Sequence, residues 1–235
     1  MHHQQGTVHG FLELRSEDGR VLASGDSIQV AHGDQVVERV IFHFKDGSID
    51  DETTVFSQNR VFRLISDHRI QKGPFFPHPM DVLIDCRKNQ VTVRSEGKDG
   101  KEEVNTSHIN LPNDLANGLV PVIVENISVH TQQTKVPMLV ATPKTRLVNL
   151  VISPHAEESF SVVGTPEKCA HFEIKIDLGG AAAIAAPFVG KQPPNIQLWI
   201  VVGEAPTFLR EQGQTYPEGP LLSIRLASPV WTDSP

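Results

Sequence analysis

Apolar and polar residues alternate along much of this chain. The run from 168 to 178 is the clearest: Cys169 aside, the odd positions (His171, Glu173, Lys175, Asp177) are polar, while Ala170, Phe172, Ile174, Ile176 and Leu178 are apolar. A period of two is that of a strand with one buried and one wet face. Such alternation favours antiparallel sheets over the doubly buried strands of parallel α/β folds. Short runs of the same kind, bounded by turn signals, predict strands over residues 7–14, 21–23, 27–31, 35–45, 50–57, 61–72, 82–86, 90–94 and 102–109. After a polar stretch they resume over 135–141, 147–153, 159–163, 169–178, 196–202, 207–210 and 221–227. Asp18-Gly19 and Asp46-Gly47 are strong hairpin signals, and Gln58-Asn59 marks a further turn. With three prolines in seven residues, Gly73-Pro74-Phe75-Phe76-Pro77-His78-Pro79 is a loop.

One segment has a helical period. Leu111, Leu115, Leu119, Val122 and Ile123 share a face, with Pro112 in the first turn, predicting a helix over about 111–126 that Pro121 kinks or ends near Val120. The polar stretch Thr131-Gln132-Gln133-Thr134 divides an N-terminal β half with the helix, 1–130, from a C-terminal β half, 131–235, within one composite domain. The expected fold is mainly β: an antiparallel curved sheet or sheets, a half-barrel or sandwich, with the one helix packed across. The small-residue run at 179–187 fits either a short helix or an apolar flap.

Composition bounds the function. Of 235 residues 39% are hydrophobic and 21% charged, which is a folded composition, and no apolar run approaches the 18 residues of a membrane-crossing helix. Lys plus Arg total 21 against 28 Asp plus Glu, a net charge of −7, which argues against nucleic acid as a partner. Cys86 and Cys169 are too few for a disulfide framework or a zinc site, and whether they form one bridge stays open. The first residues lack a charged and an apolar leader segment, so either the protein is cytoplasmic or this is the mature part of an exported one, periplasmic or secreted. Oligomeric state is not set by the sequence.

The densest polar segment surrounds Asp46 to Glu52. A two-residue turn at Asp46-Gly47 pairs His43 with Asp50 and Ile41 with Glu52, and a tight turn at Gln58-Asn59 then brings Asp67 beside Asp50. His43, Asp50 and Asp67 would form one row, with Val40, Phe42, Phe44, Phe62 and Leu64 as core on the opposite face. A histidine between carboxylates suits acid/base work or a divalent metal, making these three the catalytic candidates. A solvated face with charge pairs accounts for the same pattern, and a one-residue slip in register would separate them. No metal or cofactor motif is present: His68 and His78 lack a chelating spacing, and there is no nucleophile elbow, phosphate loop or dinucleotide fingerprint.

Loops on a rigid scaffold are where ligands are met. His68, Lys72, Phe75 and Phe76 flank the proline-rich loop and are the candidate mouth of an apolar pocket, and Trp199, in an almost wholly apolar strand, is a candidate ligand-stacking residue. Trp231, in the Pro-flanked C-terminal tail, is a lid or packing residue.

The motifs Phe44-Lys45-Asp46-Gly47-Ser48, Val55-Phe56-Ser57-Gln58, Ile70-Gln71-Lys72-Gly73-Pro74 and Gly190-Lys191-Gln192-Pro193-Pro194 together resemble a set of uncharacterised bacterial proteins, many of them exported. The resemblance implies an envelope location and no activity. At the level of fold class the pattern is also similar to lipoprotein-carrier proteins, whose half-barrels hold acyl chains. The expectation is therefore a bacterial envelope protein that binds a hydrophobic small molecule or acyl chain in a curved antiparallel sheet. The alternative is a hydrolase, possibly metal-dependent, built on the His43, Asp50 and Asp67 row.

Overall fold

The computed structural model describes residues 1–97, 100–141, 145–162, 165–179 and 193–227. Most of the 179–187 run, most of the Gly190-Lys191-Gln192-Pro193-Pro194 motif and Trp231 lie outside the described residues.

Strands β1 (Val8–Ser16), β2 (Val21–His32), β3 (Gln35–Phe44), β4 (Ile49–Ser57), β5 (Arg63–Lys72), β6 (Met80–Asp85), β7 (Gln90–Glu96) and β8 (Glu102–His108) form an antiparallel meander. A second meander comprises β9 (Thr134–Val140), β10 (Arg146–Val162), β11 (Thr165–Asp177), β12 (Ile196–Val201), β13 (Thr207–Gly213) and β14 (Leu222–Ala227). The two are joined where β1 pairs with β14, with Leu14 opposite Ile224 and Leu12 opposite Leu226. One curved 14-stranded sheet results, with β8 and β9 as its unpaired edges. The mainly β, antiparallel expectation holds.

The alternation read along 168–178 has the expected consequence. Ala170, Phe172 and Ile174 point into the core with Leu150, Ile152, Leu198 and Ile200, while His171 and Glu173 face outward. Two expected strands, 21–23 and 27–31, are one strand, β2, and the expected strands 147–153 and 159–163 are both parts of β10.

The helix expected over about 111–126 is much shorter. Only α1 (Val120–Val124) is helical, with Pro121 in its first turn, where the missing amide proton costs nothing. Proline thus starts this helix instead of ending it. The apolar positions nevertheless pack as their spacing required, because successive turns also bring them to one side. Leu111, Leu115, Leu119 and Val122 bury against Val36, Phe56, Val82 and Ile84, and Ala116 and Val124 against the second meander. The segment also covers an edge: the Ala116 amide donates to the Pro137 carbonyl (2.9 Å), and the Asn117 side chain both donates to the Leu139 carbonyl (2.9 Å) and accepts from its amide (2.8 Å). An edge strand left bare would offer those groups to another chain.

Candidate functional site

The concave face of the sheet encloses a cavity of about 710 Å³, within the usual range for small-molecule sites. Its wall includes Leu12, Val40, Val82, Leu150, Ile176 and Phe208. Val8, Leu226 and Glu218 also line it and are exposed, so the cavity opens to the surface there.

Into this apolar wall the sheet projects a cluster of charge. The wall residues include Glu38, Asp50, Glu52, Asp67, Glu125 and Glu211, with Glu218 at the opening, against Arg69 and Arg146. Arg69 is tied to Asp50 by two hydrogen bonds, Nε to Oδ1 at 3.0 Å and a terminal nitrogen to Oδ2 at 2.8 Å, a bidentate geometry. Gln71 donates to the same Asp50 oxygen (2.9 Å), and both Arg69 and Gln71 donate to the Thr215 carbonyl. Burial works against the Arg69 charge, but Asp50 and Glu52 hold its pKa above the ordinary value.

The remaining carboxyls are less well served. Thr54 donates its hydroxyl to Asp67 (3.0 Å), and burial followed by the Glu52 charge keeps Asp67 well above the usual carboxylate range. Glu125 accepts from the Gln5 amide (3.0 Å) and the Phe208 backbone amide (3.2 Å), yet burial pushes it up to about 7. Burial, then Glu125 and Glu52, push Glu38 up to about 7, against one long hydrogen bond from Ser27 (3.4 Å). Burial also pushes Glu211 up to about 7, with Arg69 opposing and Glu52 adding, and it raises Glu52 despite Arg69. Among the described residues neither the Glu52 nor the Glu211 carboxyl has a hydrogen-bond partner.

The expected row is not formed. Asp46-Gly47 lies in a three-residue loop, with the Phe44 amide bonded to the Ser48 carbonyl and Gly47 in the left-handed region at φ 88°. This is the turn-plus-bulge hairpin, one residue longer than the two-residue turn. It places Phe42 opposite Asp50 and His43 opposite Ile49. A one-residue slip reverses faces, so His43 points to solvent while Asp50 points into the cavity alongside Phe42. The β4–β5 connection is three residues longer than expected, and a one-residue bulge brings the total shift in register to four, an even number. Asp50 faces Gln71, Asp67 faces Thr54, and both carboxyls stay on the inner face. A bulge in β5 near Ile65 lets Leu64 and Asp67 point the same way.

None of the five expected ligand-binding residues lines the cavity. Phe75 and Phe76 pack on Phe44 and on Tyr216, which is a wall residue, so they stand one layer behind it. His68 is on the convex face, bonded to Asp81 (2.8 Å), and Lys72 is exposed at the end of β5. Trp199 also lies on the convex face, stacked on His171 with ring centres 4.6 Å apart and beneath the Arg210 guanidinium. Cys86 and Cys169 are free thiols. Among the described residues no histidine or cysteine lines the cavity, and no three His, Cys, Asp or Glu side chains converge as metal ligands.

The buried acids were only partly readable. Glu38 breaks the apolar phase Val36, Val40, Phe42, Phe44, and that interruption is a sequence signal for an inward charge. Glu211 follows an irregularity in the β12–β13 register, which alternation alone does not reveal.

No family model matches the chain, and no curated protein matches it significantly. Among solved structures it is similar to a beta-barrel-like protein of a domain of unknown function, DUF1849, from Brucella abortus. The two share 7% identity with a TM-score of 0.49, over 95% of this chain and 97% of the other.

Proposed function

We propose that this protein binds a hydrophobic or lipid-like small molecule inside its curved sheet, in the bacterial envelope. The observation that carries the reading is the cavity of about 710 Å³, walled by Val40, Val82, Leu150, Ile176 and Phe208 and open at Val8 and Leu226. Burying an apolar ligand there releases about 25 cal/mol per Å² of apolar surface removed from water, and the few inward polar groups fix its orientation. Support for the envelope location comes from the resemblance of the motifs around residues 44–48, 55–58 and 70–74 to uncharacterised, often exported bacterial proteins. Among the described residues no helix is long and apolar enough to cross a membrane.

Native mass spectrometry on protein purified from its own host tests the reading. A co-purified apolar small molecule, removed by organic extraction, is the expected result. Protein that arrives ligand-free and takes up no apolar molecule afterwards contradicts it. Fractionation of the host cells tests the location separately.

A further inference from the structure

We propose that the ligand of this cavity is a cationic amphiphile, an apolar chain carrying an ammonium-type nitrogen, held with its nitrogen against Glu52 and Glu211. This inference rests on the cavity-binding reading and adds the chemistry of the head group.

Glu52 and Glu211 extend from β4 and β13, on opposite meanders, to the same cavity. Both are half-buried on its wall, and among the described residues neither carboxyl has a hydrogen-bond partner. An enclosed carboxyl normally finds partners, because leaving it bare forfeits the hydrogen bonds water supplied. The cation nearest to hand is committed elsewhere. Arg69 lies opposite Glu52 in the strand register, yet its guanidinium forks onto Asp50 and bonds the Thr215 carbonyl. Two carboxyls thus face the cavity with acceptor capacity that no hydrogen bond from the described residues uses.

The sign of the charge selects the ligand. The charges acting on Glu52 are Arg69 and Asp50, and those acting on Glu211 are Arg69 and Glu52, while Glu52 in turn acts on Glu38 and Asp67. Glu52 therefore belongs to an acidic group that, even against Arg69 and Arg146 on the same wall, outweighs the cations and disfavours an anionic head such as a fatty-acid carboxylate. An ammonium nitrogen donates hydrogen bonds to both carboxyls and reduces their mutual repulsion. A bare metal ion fits less well, since among the described residues no three acidic or imidazole side chains converge on one point. An apolar chain on the same nitrogen would lie along Val40, Leu150 and Ile176.

The test compares three probes with the same chain, dodecylammonium, dodecanol and dodecanoate, by isothermal titration calorimetry at pH 8 below their micelle-forming concentrations. Dodecylammonium is expected to bind about tenfold or more tighter than dodecanol, and dodecanoate about tenfold weaker, as for charged groups meeting buried charges. In Glu52→Gln with Glu211→Gln the preference for dodecylammonium is expected to collapse, while dodecanol affinity is retained. Equal binding of all three by the unaltered protein overturns the cationic head group and leaves the cavity reading standing. Persistence of the preference in the double variant also overturns it, because the nitrogen then sits elsewhere. Binding of none of the three overturns the cavity reading and this inference together. Circular dichroism of each single variant, E52Q and E211Q, checks that a lost preference is not lost folding.

Discussion

Arg69 and Asp50 form a two-point ion pair on the concave face, at 3.0 and 2.8 Å, with Gln71 and the Thr215 carbonyl completing it. The pair links β4 and β5 to the loop after β13, so it ties the N-terminal meander to the C-terminal one across the cavity. Replacing one partner of such a pair leaves an uncompensated charge, a loss of about 3–5 kcal/mol. Arg69→Ala is expected to lose at least that much in urea unfolding, because Asp50 then joins Glu52, Asp67 and Glu211 without the guanidinium that forks onto it. Arg69→Met with Asp50→Asn is expected to recover part of the loss. Equal losses in the single and double variants would show that the pair is not the source.

Gly118 has φ 65° and lies against Thr54 and Asp67, where a β-carbon would collide with the Thr54 hydroxyl and methyl. Gly118→Ala therefore meets both backbone strain and overlap, at a cost of about 2 kcal/mol or more. In a Thr54→Ala background the same substitution is expected to cost less, since the colliding atoms are gone. A thermodynamic cycle on the two positions measures this coupling.

Asn117 serves the β9 edge with two hydrogen bonds to Leu139. Asn117→Ala is expected to cost about 1–3 kcal/mol by orphaning both backbone groups. Hydrogen exchange should locate the effect, with the Leu139 amide losing protection while the β2 and β3 amides keep theirs.

The pH dependence follows from the acids of the cavity. Glu38, Glu125 and Glu211 are each pushed up to about 7 from an ordinary value of 4.5, chiefly by burial. The folded state thus holds protons that the unfolded chain has released. Their contribution to stability is fully present below the ordinary carboxylate range and is lost as pH rises through about 7. Surface acids whose pKa is lowered by a hydrogen bond or ion pair, such as half-buried Asp51 by Arg39, act in the opposite sense but only below their ordinary range. Between pH 5 and pH 8 the buried group decides, and the Tm in the absence of ligand is expected to fall by about 5–10 °C. Glu211→Gln is expected to flatten the profile, and a Tm that rises from pH 5 to pH 8 would contradict the assignment.

How much of this was legible in the sequence depended on the length of the repeat being read. Long alternations such as 168–178 fixed both strand and face, because each apolar position supports the next. The row of His43, Asp50 and Asp67 rested on the lengths of two turns. Asp-Gly occurs in both two- and three-residue loops, and the structure uses the longer one, so a single residue moved His43 outside. Asp50 and Asp67 keep their face because the longer second turn and the bulge near Ile65 together shift the register by four, an even number. The apolar residues of 111–123 packed as expected although only Val120–Val124 is helical, since burial depends on their spacing and not on an unbroken helix. Phe75, Phe76 and Trp199 read as ligand contacts because aromatics by a loop or in an apolar strand carry the same pattern in either role.

The most direct test of the central claim is whether an apolar molecule occupies the space beside Val40. Titration with the fluorescent probe N-phenyl-1-naphthylamine should show saturable binding to the unaltered protein and displacement by dodecanol. Val40→Trp fills the cavity from the β3 side, and in a folded variant it should abolish the probe signal. Undiminished saturable binding by Val40→Trp, or none by the unaltered protein, would contradict the account.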